Sequence, residues 1–199
     1  MNFSVLLASQ ACSPAASASE TRRIHSSARS VGSHQRGPWS PARLTTALRA
    51  FASRSGSWLL SRSERFSPIH GDYRLDNLLF ATPAGGSPVA TVDWQTLEIG
   101  LPGRDLGYFL GNSLSSENRR ECERELVAAY HEALVALGVK GHSLEECFDD
   151  YRHGQFQGLL VTVVASVMLT HTQRGDAMFM AMSSRACQAI RDLESLDLL

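Results

Sequence analysis

The pattern of hydrophobic and polar positions becomes regular only downstream of about residue 67. Two short β-prone runs, at 78–82 and 89–93, are separated by the segment PAGGSP. Because Pro and Gly mark turns, these runs predict an antiparallel hairpin. If its turn is centred on Gly85, Asn77 lies opposite Asp93.

The rest of the C-terminal region is typical of helices. It predicts helices at 104–114, 116–137, 144–171 and 177–196. Gly138 fits the C-terminal cap of the second helix, the Ser143-to-Glu146 spacing fits a capping box at the start of the third, and Asp176 caps the fourth. The predicted fold class is therefore mainly α with a small β-hairpin.

The first 66 residues have a different character. They contain fifteen Ser and nine Arg but no Lys, and no sustained hydrophobic period before about residue 42. Such a segment buries little apolar surface, so we expect a mostly disordered leader with one possible helix near 42–60. An organelle targeting peptide is a less favoured alternative, since these are also Arg-rich, Ser-rich and poor in acids.

Charge and composition exclude several classes of protein. Residues 1–66 carry nine Arg and two acids, a net charge of +7, whereas residues 67–199 carry ten basic and eighteen acidic residues, a net charge of −8. An acidic C-terminal region argues against binding nucleic acid. The longest apolar run, 159–169, is too short to cross a bilayer, and the four cysteines are too scattered for a zinc cluster or disulfide framework. We therefore expect a cytoplasmic protein without a membrane or nucleic-acid partner, and the sequence does not define its oligomeric state.

The segment HGDYRLDN, residues 70–77, carries the candidate chemistry. The predicted hairpin brings Asn77 and Asp93 to about 5 Å, the spacing of opposed residues on paired strands. Mg²⁺ commonly takes one or two protein oxygens and completes its shell with water and phosphate, and Asp72 is then free to accept a proton. A base and two metal oxygens on a helical scaffold suit phosphoryl transfer. Taken alone, Asp72 and Asn77 also fit ordinary turn residues.

HGDYRLDNLLF followed by VDWQ resembles the catalytic and metal-binding segments of the aminoglycoside phosphotransferase and choline kinase-like family, which shares the protein-kinase fold. The resemblance covers residues 67–199, equivalent to the C-terminal lobe of that α+β fold. It implies that Asp72 is the catalytic base, that Asn77 and Asp93 are the Mg²⁺ ligands at which ATP is bound, and that His70 orients the catalytic loop.

The sequence allows two roles each for Arg74 and Asp105. Arg74 stands two positions after Asp72, where many protein kinases place a phosphate-contacting lysine, so it contacts phosphate or forms a surface ion pair. Asp105 resembles a family aspartate that supports the catalytic loop, with a helix N-terminal cap as the alternative. The remaining histidines of this region lack ligand spacing, and we expect them on helix surfaces: His131, His142, His153 and His171.

A kinase-like enzyme also needs an N-terminal lobe with a lysine that reaches the ATP phosphates. Lys140, the single lysine of the sequence, follows the catalytic segment, and residues 1–66 lack the strands and glycines of such a lobe. We therefore expect that this chain lacks the N-terminal lobe. We expect a kinase that transfers the ATP γ-phosphate to a hydroxyl of a small molecule and is inactive as this chain alone. The alternative is a non-catalytic remnant or binding module of the same family.

Overall fold

The structure, a computed structural model, describes residues 41–82 and 85–199. Its elements, in chain order, are α1 (Pro41–Leu60), β1 (Ser67–Ile69), β2 (Leu78–Thr82), β3 (Gly85–Thr91), β4 (Glu98–Gly100), α2 (Gly103–Ser113), α3 (Ser116–Ala136), α4 (Leu144–Gly154), α5 (Phe156–Met168) and α6 (Gln173–Asp192). The fold is mainly helical with a small set of antiparallel strands, which confirms the predicted class at this level. Residues 1–40 of the expected leader lie outside the described residues.

The strands form two separate antiparallel pairs, β1 with β4 and β2 with β3. The predicted hairpin is confirmed, but its register is shifted by one residue. Leu78 pairs with Thr91, and the amide of Val92 donates to the carbonyl of Asn77 at 2.9 Å. Asn77 therefore lies opposite Val92, and the prediction that it opposes Asp93 is wrong. The physical reason is that the pairing is irregular near the turn, which is not centred on Gly85.

Helices α2 and α3 occupy the ranges that the sequence predicts, to within one residue. Ser115 begins α3 by accepting a hydrogen bond from the amide of Asn118, and Gly138 follows its end with a φ of +90°. The capping box of Ser143 and Glu146 at the start of α4 is also present. Local sequence signals are sufficient at these helix ends because each cap involves residues only a few positions apart.

The single helix predicted at 144–171 is wrong, because the chain breaks between α4 and α5. Gly154 packs on the backbone of Gly103 in α2, so closely that a Cβ on Gly154 would lie 1.8 Å from the Gly103 carbonyl oxygen. The amide of Gln155 then bonds the carbonyl of Arg152, three residues back, rather than continuing the α-helical pattern. The crossing of two helices at glycines thus determines the break.

The last helix begins and ends earlier than predicted, and its cap is a different residue. Thr172 caps α6, since its Oγ1 accepts a hydrogen bond from the amide of Gly175. Asp176, the predicted cap, lies inside the first turn and accepts from His171 Nδ1 at 3.1 Å.

The hydrophobic core is built around α2, in which every residue is buried. This helix packs against α3, α4, α5 and α6. The main core cluster includes Tyr73 from the loop after β1, Leu78 and Val89 from the hairpin, and Leu106 and Leu110 from α2. The loop that carries the candidate chemistry is therefore attached directly to the central helix.

Helix α1, which lies where the sequence allows a helix at 42–60, packs in a second hydrophobic cluster with residues of α5 and α6. Phe51 stacks on Phe156 with ring centroids 5.1 Å apart, and Trp58 Nε1 donates to the carbonyl of His153 at 3.0 Å. The guanidinium of Arg104 lies 5.2 Å from the centroid of the Trp58 ring. Side chains before residue 66 therefore pack against side chains after it. The division of the chain into 1–66 and 67–199 stays a prediction.

The prediction that the four C-terminal histidines lie on helix surfaces is largely wrong. His153 is buried and stacks on Trp58, because α1 covers it. Burial, with the positive charge of Arg62 nearby, lowers the pKa of the His153 imidazole to about 3. His142 and His171 lie in connections between helices, and only His131 lies half-exposed on a helix.

Cys122, Cys147 and Cys187 form no disulfide in the part of the chain that the structure describes, and Cys12 lies outside the described residues. No helix in the described ranges is long and apolar enough to cross a membrane.

We predict that Gly154→Ala destabilises the protein by at least about 2 kcal/mol, because the added methyl group overlaps the backbone of α2 and forces the helices apart. The matched control is Gly56→Ala in α1, where an added Cβ meets nothing within 4 Å. This control should be neutral or stabilising, since Ala favours a helix over Gly. Urea denaturation measures both. Equal effects of the two substitutions would contradict the close crossing of α2 and α4.

Candidate functional site

The loop between β1 and β2 carries the motif, and its first two residues have their backbone fully paired. The amides of His70 and Gly71 donate to Asp105 Oδ2 at 2.7 Å and Oδ1 at 2.9 Å. The carbonyl of His70 accepts from Thr96 Oγ1, and that of Gly71 accepts from Gln157 Nε2, both at 2.7 Å. Four buried or partly buried backbone groups thus receive side-chain partners from three separate parts of the chain.

Gly71 is required by the geometry of this loop. Its φ is +82°, a conformation that side chains disfavour, and an added Cβ would lie 2.6 Å from the carbonyl oxygen of Thr96. The backbone can therefore turn toward Asp72 only with glycine at this position.

Asp105 supports the loop rather than capping α2. Although it lies in the first turn of that helix, both of its carboxylate oxygens accept from the loop amides. Burial raises the pKa of Asp105 above its ordinary value, and the two amide hydrogen bonds and the nearby Arg104 oppose this shift. The sequence leaves two roles open for Asp105, support of the loop and a cap of the helix. The geometry agrees with support of the loop.

His70 is fully buried and is held by hydrogen bonds on both ring nitrogens. Nε2 lies 2.9 Å from the carbonyl oxygen of Val92, and Nδ1 accepts from the amide of Asp72 at 3.3 Å. A carbonyl can only accept, so the ring proton resides on Nε2 and Nδ1 is the acceptor. The ring packs on Trp94 with centroids 4.6 Å apart. His70 therefore connects the motif loop to the segment on both sides of Asp93.

The carboxylate of Asp72 is half-buried and receives three hydrogen bonds. Tyr108 donates its hydroxyl to Oδ1 at 2.9 Å, while Asn77 Nδ2 at 3.1 Å and Arg74 Nε at 3.3 Å donate to Oδ2. Burial and the charge of Asp72 raise the pKa of Tyr108 far above its ordinary value, so its hydroxyl stays protonated as a donor. These contacts fix the direction of a carboxylate that remains in contact with solvent.

Asn77, which contacts this carboxylate, and Asp93, which follows β3, both carry side-chain oxygens without a donor among the described residues. Asn77 Nδ2 also donates to the carbonyl of Asp72 at 2.8 Å, which leaves Asn77 Oδ1 without a donor among the described residues. Asp93 follows β3 in a left-handed conformation with φ 63°, and its exposed side chain makes no hydrogen bond within the described ranges. The chain neighbours of Asp93, Val92 and Trp94, both contact His70.

This donor set fits Mg²⁺ better than a metal that needs a full protein shell. Within the described ranges, no group of three or more His, Cys, Asp or Glu side chains is placed to hold a metal ion. An amide oxygen and one or two carboxylates, with space for water and phosphate, suit an octahedral hard cation.

Comparison with known proteins identifies the family of the chain. Residues 6–140, more than half of the chain, match the model of the phosphotransferase enzyme family APH. The chain belongs to the APH phosphotransferase family. The match begins well before residue 67, where the resemblance to the catalytic segments starts.

One curated relative of this APH phosphotransferase chain is the mouse protein "Acyl-CoA dehydrogenase family member 10", with 41% identity over 54 residues. That alignment covers 26% of this chain and 5% of the mouse protein. The chain thus spans only a small part of this relative. No solved structure matches the chain.

Arg74 of this APH chain forms the ion pair that one alternative predicts. Besides Asp72, it contacts Asp76 Oδ2 through Nη1 at 3.1 Å and approaches the sulfur of Met178 in α6. Its side chain is about one quarter exposed, so the guanidinium lies at the open side of the Asp72 carboxylate. A contact with phosphate remains a proposal.

Sequence reasoning missed Tyr108, Gln157 and Arg104. Arg104 Nε donates to Gln157 Oε1 at 2.9 Å, which orients the Gln157 amide toward the carbonyl of Gly71. Gln157 lies in an apolar helix 86 residues away from Gly71, so no local pattern indicates this contact. Tyr108 had a usable signal, because it lies three residues after Asp105 and thus on the same helix face.

We predict that Asp105→Asn releases the backbone of the motif loop. The amide group can offer one acceptor oxygen, whereas its NH₂ group faces an amide that needs an acceptor, so about 2 kcal/mol of local stability is lost. Hydrogen exchange followed by NMR measures this loss directly as faster exchange of the His70 and Gly71 amides.

Asp76→Asn provides the matched control, since Asp76 is exposed on the same loop and contacts only Arg74 among the described residues. Its exchange pattern at His70 and Gly71 should equal that of the wild type. Unchanged protection of both amides in Asp105→Asn would show that Asp105 does not hold the loop.

Proposed function

We propose that this protein is an ATP- and Mg²⁺-dependent phosphotransferase that moves the γ-phosphate to a hydroxyl group of a small molecule. Asp72 is the catalytic base, His70 orients the loop, and Asn77 and Asp93 hold Mg²⁺ and through it the nucleotide. The observation that carries this proposal is the fixed Asp72 carboxylate, which receives hydrogen bonds from Tyr108, Asn77 and Arg74 yet stays half-exposed.

In the proposed reaction, the acceptor oxygen forms a bond to the γ-phosphorus while the bond from that phosphorus to the bridging oxygen of ADP breaks. The proton of the acceptor hydroxyl passes to an oxygen of Asp72. Tyr108 and Asn77 each donate to one oxygen of this carboxylate, so the group is positioned before the acceptor arrives. Such positioning of reactants supplies much of the acceleration in phosphoryl transfer.

The family supports ATP and Mg²⁺ as cofactors, because APH kinases generally use both. When bound, the metal neutralises charge on the phosphates. Asn77 Oδ1 and the Asp93 carboxylate are the oxygens available to hold it, since neither has a donor among the described residues. Arg74 lies at the open side of Asp72 and now pairs with Asp76. If the Arg74 guanidinium releases Asp76, it can contact the transferred phosphate.

The remaining expectations form part of the same proposal. Residues 67–199 correspond to the C-terminal lobe of a protein-kinase-like fold, and the protein is cytoplasmic. A second candidate function, a non-catalytic binding module of the family, is favoured by one observation. Lys140, the single lysine of the sequence, follows the motif loop and lies in the α3–α4 connection, so it does not occupy the position of the phosphate-binding lysine that kinases place before that loop.

We predict that Asp72→Asn lowers the turnover of phosphate transfer by at least about 10²-fold, because the amide cannot accept the proton of the acceptor hydroxyl. Steady-state kinetics with Mg-ATP and a panel of small alcohols measures this. The control is Glu132→Gln, which removes an exposed carboxylate from α3 and should keep turnover within about threefold of wild type.

The assay should run in parallel on the 199-residue chain and on the longest product of its gene. An Asp72→Asn protein with wild-type turnover would refute the role of the base. Absence of transfer by either wild-type product across the panel would favour the binding module.

A further inference from the structure

A cavity of about 480 Å³ lies apart from the motif loop. Its walls come from the start of α2, from α3 and α4 with the connection between them, and from the segment that leads into β1. Leu106, Leu134 and Val139 give it an apolar side, and Arg65, Lys140 and His142 lie on its polar side. None of the candidate residues His70, Asp72, Arg74, Asn77 and Asp93 lines it. Its size is that of sites for small organic molecules.

The carboxylates that line this cavity already have partners. Asp150 accepts from Arg62 Nη1 at 2.5 Å and from Arg65 Nη2 at 2.8 Å. Glu146 accepts from the amide and hydroxyl of Ser143 at 2.8 and 2.9 Å in the capping box. The third acid, Glu64, pairs with Arg65 Nη1 at 3.5 Å. The charges of Asp150 and Glu64 are therefore compensated by guanidinium groups, and Glu146 carries the one exposed carboxylate of the described lining that no cation pairs.

The side-chain groups without a partner are an N–H donor, a hydroxyl, an imidazole nitrogen and a cation. Arg65 Nε, Ser67 Oγ and His142 Nδ1 are buried side-chain atoms without a hydrogen-bond partner, and all three residues line the cavity. Lys140 is exposed and forms no ion pair within the described ranges. A buried donor without an acceptor costs about 1–3 kcal/mol, so an acceptor supplied by a ligand at this place would be stabilising.

We propose that this cavity binds a small amphipathic molecule that carries a carboxylate or phosphate group. The anionic group lies against Lys140 and Arg65 Nε, since the Nη atoms of Arg65 already pair with Glu64 and Asp150. The apolar part of the molecule lies against Leu106, Leu134 and Val139. Apolar walls with a few convergent polar groups are the usual composition of such sites. This site is separate from the proposed phosphotransferase site and does not depend on it.

An NMR titration of the 199-residue chain tests the proposal with four probes that share one apolar chain. Hexanoate and hexyl phosphate carry the two anionic groups, while hexylamine and 1-hexanol are the cationic and neutral controls. We expect the amide signals of Gly141 and His142 to shift with at least one anion and to change less with the amine and the alcohol. The comparison of the two anions identifies which group the site prefers.

Lys140→Gln should weaken binding of the preferred anion by about fivefold, as for the loss of one partly exposed ion pair. The matched control is Arg174→Gln in α6, which removes an exposed cation away from the cavity and should leave the affinity unchanged. A second variant, Leu134→Trp, should abolish the shifts by filling the cavity.

The proposal is overturned if neither anion shifts these signals or if hexylamine binds as tightly as the anions. Equal weakening by Lys140→Gln and Arg174→Gln would likewise overturn it, because the interaction would then be a non-specific charge effect.

Discussion

Two hydrogen bonds, from the amides of His70 and Gly71 to the carboxylate of Asp105, determine where the motif loop lies. They connect the loop to α2, the helix around which the core is packed. A charged acceptor for two buried amides gives stronger hydrogen bonds than a neutral one. The loop is therefore held by the most buried part of the molecule, and its position follows that of α2.

The same helix also fixes the chemistry of the loop. Tyr108, one turn after Asp105, donates to Asp72, so a single helix face holds both the loop backbone and the candidate base. From the other side, Gln157 in α5 bonds the carbonyl of Gly71 and is itself oriented by Arg104. Because Arg104 contacts the Trp58 ring, the packing of α1 also extends to this network.

The features that sequence predicted well depend on neighbouring residues. The β2–β3 hairpin, the capping box of α4 and the extents of α2 and α3 follow from turn residues, caps and local patterns. The features that it missed depend on distant contacts. The break after Gly154 arises from its contact with Gly103, and His153 is buried because Trp58 covers it.

The candidate site also combines features that sequence can and cannot predict. The motif was enough to name the candidate residues His70, Asp72, Asn77 and Asp93. The position of Asn77 relative to Asp93 could not be predicted, because it depends on the strand register that the structure shows. Their roles rest on one central claim, that Asn77 and Asp93 hold a single metal ion beside Asp72. The most direct test replaces Mg²⁺ with paramagnetic Mn²⁺ in the presence of ATP and follows the broadening of amide signals. The account predicts that Asn77, Leu78 and Asp93 broaden first and that Asp93→Asn removes the effect. Broadening confined to the acidic surfaces of α3 and α4, with the loop unaffected, would contradict it.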